Sequence, residues 1–104
     1  MAELEKRMIY QGTELKFLLD ITSMGFNMVD DDFFIVVKNM KGSITIPKED
    51  MVLTEDDKFI FTVNTATLGT GDYYVIVTAQ VPDEDFDDGF RQEVQKALLC
   101  TVTS

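Results

Sequence analysis

A chain of 104 residues is the size of one domain with one core, and its 45% hydrophobic residues, with 8 Phe and 3 Tyr among them, suffice to fill it. Its 19 acids against 9 bases leave a net charge of −10, which argues against nucleic acid and against anionic membrane surfaces as partners. No apolar run approaches the ~18 residues of a membrane span, Met1–Arg7 lacks the order of a secretory leader, and the single cysteine, Cys100, cannot close an internal disulfide, which points to synthesis in a reducing cytosol.

Residues 1–7 are polar and rich in helix formers and read as an N-terminal arm; residues 8–104 read as one β domain. The β pattern begins at Met8-Ile9-Tyr10, and Gly12-Thr13 marks a break. Leu15, Phe17, Leu19 and Ile21 then alternate with Glu14, Lys16, Leu18 and Asp20, a strand with one buried face. The connection Thr22–Asp32 offers Phe26, Met28 and Val29 to close one end of the core. Phe33–Val37 is apolar on both faces, as a central strand is. Asn39-Met40-Lys41-Gly42 reads as a hairpin turn with Gly42 available for a positive φ. Ser43–Ile46 alternates, and Pro47 ends that strand or marks an edge.

Met51–Leu53 is a short strand and Glu55-Asp56-Asp57 a turn, after which Phe59, Phe61 and Val63 alternate with Ile60, Thr62 and Asn64. Leu68–Asp72 is a corner. Tyr73–Val81 is expected to be the longest strand, and Pro82–Gly89 an acidic loop. The last stretch fits two periods. Phe90, Val94, Ala97 and Leu98 match a helix, while Leu98, Cys100 and Val102 alternate; Thr101-Val102-Thr103 favours a strand with a bulge. About seven short strands without a long helix predict an all-β, immunoglobulin-like sandwich.

Little in this chain is suited to catalysis. The absence of histidine removes Ser-His-Asp and Cys-His arrangements and the commonest metal ligand. Cys100 lies beside Leu99 and Val102 and reads as a buried structural thiol. Gly69-Thr70-Gly71 lacks the Lys-Ser/Thr and helix of a phosphate loop and reads as a tight corner. Asp83, Asp85 and Asp87 match the first three EF-hand ligands, but Asp88 stands where Gly is required and Val94 where the bidentate Glu belongs. A different calcium site, shared with Asp30-Asp31-Asp32, competes there with a plain solvated loop. No enzyme activity, cofactor, metal or small-molecule substrate is expected.

The informative signal is apolar excess on outward positions. Phe34 and Val36 oppose Phe33, Ile35 and Val37; Tyr74 and Ile76 oppose Tyr73, Val75 and Val77. If one set fills the core, the other is either covered within the monomer, by the arm or by residues 24–29, or exposed as a protein contact. Phe34, Val36, Tyr74 and Ile76 are therefore the candidate interface residues.

Leu68-Gly69-Thr70-Gly71-Asp72-Tyr73-Tyr74-Val75 resembles the corner before a late strand of immunoglobulin-like domains, where an acid and a tyrosine tie loop to strand. The paired cysteines and core Trp of antibody domains are absent, so that likeness is architectural. Ile9–Phe17, Gly71–Tyr74 and Val81–Val94 resemble small virion proteins of tailed, crAss-like bacteriophages, among which an immunoglobulin-like auxiliary capsid (decoration) protein matches best in size and fold. The resemblance implies a structural protein on the outer capsid surface, made in the host cytoplasm, binding between major capsid subunits or to other virion proteins. A tail, neck or baseplate component is the nearest alternative. A carbohydrate-binding or adhesion module using Tyr10, Tyr73 and Tyr74, or an intracellular regulatory domain, belongs to other classes.

Overall fold

The computed structural model describes residues 9–104. The expected arm at 1–7, and Met8, lie outside the described residues. Eight strands, a 3-10 turn and one short helix follow in order: β1 (Ile9–Tyr10), β2 (Glu14–Leu19), β3 (Phe33–Asn39), β4 (Gly42–Pro47), the turn Lys48–Asp50, β5 (Val52–Leu53), β6 (Phe59–Asn64), α1 (Thr65–Leu68), β7 (Gly71–Pro82) and β8 (Phe90–Thr103). One sheet has the order β1-β8-β7-β3-β4 and the other β2-β6-β5. All pairs are antiparallel except the first with the last, β1 with β8, which is parallel. Two facing sheets with this exchange of strands between them form an immunoglobulin-like β-sandwich.

Period-2 alternation builds the core. Phe33, Ile35 and Val37 of β3 point inward beside Val75, Val77, Ala79 and Val81 of β7, and meet Phe59, Phe61 and Val63 of β6 from the other sheet. Each of the valine, isoleucine and phenylalanine side chains contributes roughly 1.5–3 kcal/mol by leaving water. Phe33 sits at the upper end, its ring edge-on to Phe59 at 5.3 Å and to Phe26 at 6.1 Å. Lys48 closes that end: its Nζ lies 5.5 Å from the Phe33 ring centre and donates to the carbonyls of Val29 (2.8 Å) and Asp31 (2.7 Å). Met28 is buried as expected and Phe26 is half-buried, but Val29 is exposed. Asn27 Oδ1 accepts from the Val29 and Asp30 amides and curls this turn outward, away from the core.

The lower end is pinned by three side chains. Tyr73 donates its hydroxyl to the Gly69 carbonyl at 2.6 Å and approaches that of Thr65 at 3.2 Å, fastening the corner between α1 and β7. Asn64 caps α1, a helix that the alternation did not predict, by accepting from the Ala66 amide at 2.9 Å. Asn39, also buried, donates to the carbonyls of Leu68 (2.8 Å) and Thr70 (3.2 Å) and accepts from the amides of Lys41 (2.9 Å) and Gly42 (3.1 Å). The hairpin forms where expected, with one correction to its backbone. Gly42 does not take a positive φ; the Asn39 side chain closes the turn instead, so the backbone need not enter the left-handed region. Gly69 does enter it, at φ 79, where a Cβ would add strain.

A second correction concerns length. The longest strand is β8, 14 residues, rather than β7, 12 residues. The two form one long hairpin in which Tyr73 pairs with Cys100 and Tyr74 with Leu98, leaving Leu99 as a bulge. Leu98 therefore faces outward while Cys100 and Val102 face inward, and the alternation of Leu98, Cys100 and Val102 is broken at one residue.

Candidate protein-docking face

The outer face of the five-stranded sheet gathers all four candidate residues. Val36 pairs directly with Ile76, Phe34 with Thr78, and Tyr74 with both Lys38 and Leu98. Since alternate residues share a face, Phe34, Val36, Tyr74 and Ile76 stand together, opposite to the core. Phe34 is 39% exposed; the other three are half-buried by one another and by their neighbours. Residues 24–29 do not lie over them: Phe26 packs on the inward-facing Phe33, and Gly25 lies near Val81 and Pro82. Whether the arm covers the face is a question that falls outside the described residues.

Two residues join this strip that the alternation did not assign to it. Val94, across from Thr78, is 57% exposed, and Leu98, across from Tyr74, is 58% exposed. The spacing of Phe90, Val94 and Leu98 read as a helical period because four residues are also two strand periods, which return to the same strand face. The bulge at Leu99 then hides the true phase of β8 from any reading that counts back from Val102.

Charge on this face is unlike the rest of the molecule. By register, its strand positions include Lys38 and Lys96 and a single acid, Asp72. Asp72 Oδ1 accepts from Thr101 Oγ1 at 2.6 Å, which ties β7 to β8 rather than loop to strand. Lys96 lies with Nζ 4.7 Å from the centre of the Tyr74 ring, so its alkyl stem extends the apolar surface while its ammonium group faces water. A shallow depression of about 410 Å³ beside Ile76 is lined by Val36, Lys38, Met40 and Ser43 among others. The chemistry available is burial of aliphatic and aromatic surface beside two cations.

The acids collect elsewhere. Residues 30–32, 49–50, 55–57 and 83–88 all lie at the end where β3 begins and β7 ends, since Leu19 pairs with Phe59, Phe34 with Pro47 and Pro82 with Phe90. Those four segments hold 13 of the 19 acids. Three of their carboxylates hold the loops themselves. Asp83 binds Arg91 at 2.8 Å and caps the Asp85 amide, Asp88 caps the Phe90 amide, and Asp31 caps the Asn27 amide. Among the described residues no group of three or more acids and cysteines is arranged to hold a metal ion. Glu93, beside Arg91, is held below the usual carboxylate range chiefly by the Ser23 hydroxyl donating at 2.7 Å, then by Gln95.

The remaining singled-out residues are structural in placement. Tyr73 is 1% exposed, so Tyr10, Tyr73 and Tyr74 do not form a common platform. Gly69-Thr70-Gly71 is a corner whose Gly69 carbonyl faces the Tyr73 hydroxyl. Cys100 is half-buried, and burial pushes its thiol above the ordinary range, with the Asp72 carboxylate adding to the shift. Less thiolate at neutral pH means slower attack on electrophiles. Alkylation of the native chain with iodoacetamide at pH 7.5 is expected to run about tenfold or more below the rate of the urea-unfolded chain; equal rates would show an activated thiol.

Comparison of the chain with protein-family models, with characterised proteins and with solved structures returns no match.

Proposed function

We propose that this chain is a non-enzymatic structural protein that docks on other proteins through the outer face of its five-stranded sheet. The observation that carries this reading is the apolar strip of Phe34, Val36, Tyr74, Ile76, Val94 and Leu98, which crosses three strands and shares its face with a single acid. Contiguous apolar side chains on an outer sheet face are the usual mark of a protein contact. Burying the strip would stabilise a complex by roughly 25 cal/mol per Å² before the cost of association.

The sequence resemblance to small phage virion proteins favours a virus particle as the setting of this reading. In that setting the chain acts as an auxiliary (decoration) protein between major capsid subunits on the outer shell, many weak contacts adding up through multivalency. A net charge of −10 supports the outer location, since it would be repelled by packaged DNA and drawn to basic patches on the shell exterior.

The test is co-sedimentation with particles. The double variant Phe34→Ser, Tyr74→Ser is expected to keep its far-UV circular dichroism and its solubility but to lose binding to shells that the parent chain decorates. Unchanged binding would remove the face from the contact. Copy number separates the locations: roughly hundreds per particle indicate the shell, about six or twelve a ring on the tail axis.

A further inference from the structure

The longest strand is covered along one edge only. β8 pairs with β7 from Phe90 to Val102, while on its other edge, among the described residues, β1 reaches it at Val102 and Thr103 alone. An uncovered edge presents a row of unpaired N–H and C=O groups. This one also borders a cleft of about 180 Å³ in the side of the sandwich, between the C-terminal end of β2 and the inward side of β8. Leu19, Ile21, Val75, Val77, Gln95 and Ala97 line it. Gln95 and Ala97 share the core side with Val77 and Val75 by register and yet are exposed, because the three-stranded sheet ends at β2 and does not extend over them.

The short strand β1 is aimed along that edge. It runs parallel to β8, with Ile9 beside Val102 and Tyr10 beside Thr103, and the Gln11 amide donates to the Thr103 carbonyl at 2.8 Å. We propose that residues 1–8 continue β1 along the open edge of β8 and close the cleft with their own apolar side chains. Eight extended residues reach about 26 Å, and Ala97 and Gln95 lie about 17–23 Å along β8 from Val102, so the segment is long enough. Continuity with β1 decides the occupant. A segment joined to a strand already in register gives up no translational freedom on docking, as a strand from a second molecule would.

Carried on without a slip, the register of β1 sets Leu4 beside Ala97, Glu3 beside Lys96, Ala2 beside Gln95 and Met1 beside Val94. Directly adjacent residues of neighbouring strands share a face, so Leu4 and Ala2 turn to the cleft, while Glu3 meets Lys96 and Met1 covers Val94 on the outer side. This phase has the segment kink together with β8 at the Leu99 bulge, near Lys6 and Arg7. A straight segment would instead turn Glu3 and Glu5 to the apolar wall, beside Asp20, and desolvate two carboxylates there. Beyond Val94 the Ser23 hydroxyl donates to Glu93 at 2.7 Å, so the β2–β3 connection closes the same side of the sandwich above the segment. The segment borders the docking strip at Val94 without crossing it, and the inference stands whether or not that strip is the docking face.

Cross-linking of the full chain tests the placement. With Leu4→Cys and Ala97→Cys in a Cys100→Ser background, mild oxidation is expected to close a disulfide within one chain, since neighbouring strands lie about 4.8 Å apart, within the Cα range of that bond. Leu4→Cys with Ser43→Cys, on β4 at the far edge of the same sheet, should stay open. In hydrogen exchange, a chain that begins at Met8 is expected to lose protection about tenfold or more across residues 94–98, with the β3–β4 hairpin unchanged. Leu4→Asp should lower Tm by about 5 °C, and Glu5→Ala, on the outer side, should move it by less than about 2 °C. No disulfide between positions 4 and 97, a disulfide that forms only between chains, equal exchange in the long and shortened chains, or equal Tm for Leu4→Asp and the parent would each overturn the proposal. Should the shortened chain fail to fold, the disulfide and the Leu4→Asp variant decide.

Discussion

Phe33→Ala is expected to lower stability by about 4 kcal/mol, the loss typical of a fully buried aromatic side chain truncated to a methyl group. Phe33 is 2% exposed and meets Phe59 and Phe26 edge-on. Truncation removes both ring pairs and leaves a cavity between the sheets. It also takes away one of the two rings beside the Lys48 ammonium, which lies 5.6 Å from the centre of the Phe59 ring as well. For a domain of about 100 residues the loss corresponds to a fall in Tm of about 20 °C, a large share of the ~5–15 kcal/mol that folding provides. Its chain neighbour Phe34 points the other way and is 39% exposed, so Phe34→Ala should cost about 1 kcal/mol or less. Thermal denaturation of both variants checks the pair. Equal losses would contradict the assignment of these two adjacent phenylalanines to opposite faces.

Tyr73→Phe is expected to cost about 2 kcal/mol, although it removes a single oxygen. The Tyr73 hydroxyl donates to the Gly69 carbonyl, while the Thr65 carbonyl has a second donor in the Gly69 amide at 2.8 Å. Without the hydroxyl the Gly69 carbonyl loses its donor in a buried corner, and an unsatisfied buried acceptor costs about 1–3 kcal/mol. Burial also raises the Tyr73 phenol above its ordinary range, with Cys100 adding to the shift. The hydroxyl therefore stays protonated and able to donate throughout neutral pH. The linked stability is present below the unfolded phenol's range and is lost as pH rises through the folded value. Tyr74→Phe, on the outer face with Lys96 across its ring, should change stability by only a few tenths of a kcal/mol. Urea titrations of the two single variants distinguish the corner tyrosine from the surface one. Similar midpoints would mean that the corner hydrogen bond contributes nothing to stability.

Several parts of this architecture were legible in the residues alone. Alternation in Leu15–Ile21, Phe59–Val63 and Tyr73–Val81 specified which side chains fill the core, and in Phe33–Val37 it sorted the side chains into two faces, because strand side chains change face at every residue and only one face of each sheet meets the other. The turn chemistry at 55–57 and 82–89, and the proline that ends β4, followed from backbone rules that act over a few residues. The outward set Phe34, Val36, Tyr74 and Ile76 came from the same period, which assigns a face to each strand without saying which strands are neighbours.

Register between strands and the position of the bulge decided the rest. Pairing of β3 with β7 sets Val36 beside Ile76, and pairing of β7 with β8 adds Val94 and Leu98 to the strip. The extra residue at Leu99 reverses the phase of β8, and no local propensity marks where it falls; the inward packing of Cys100 and Val102 does. The gathering of acids at one end likewise depends on four loops separated in sequence meeting at the same end of the sandwich. Composition and alternation thus determined an acidic β domain with apolar surface to spare, and long-range pairing alone determined that the acids and that surface lie apart.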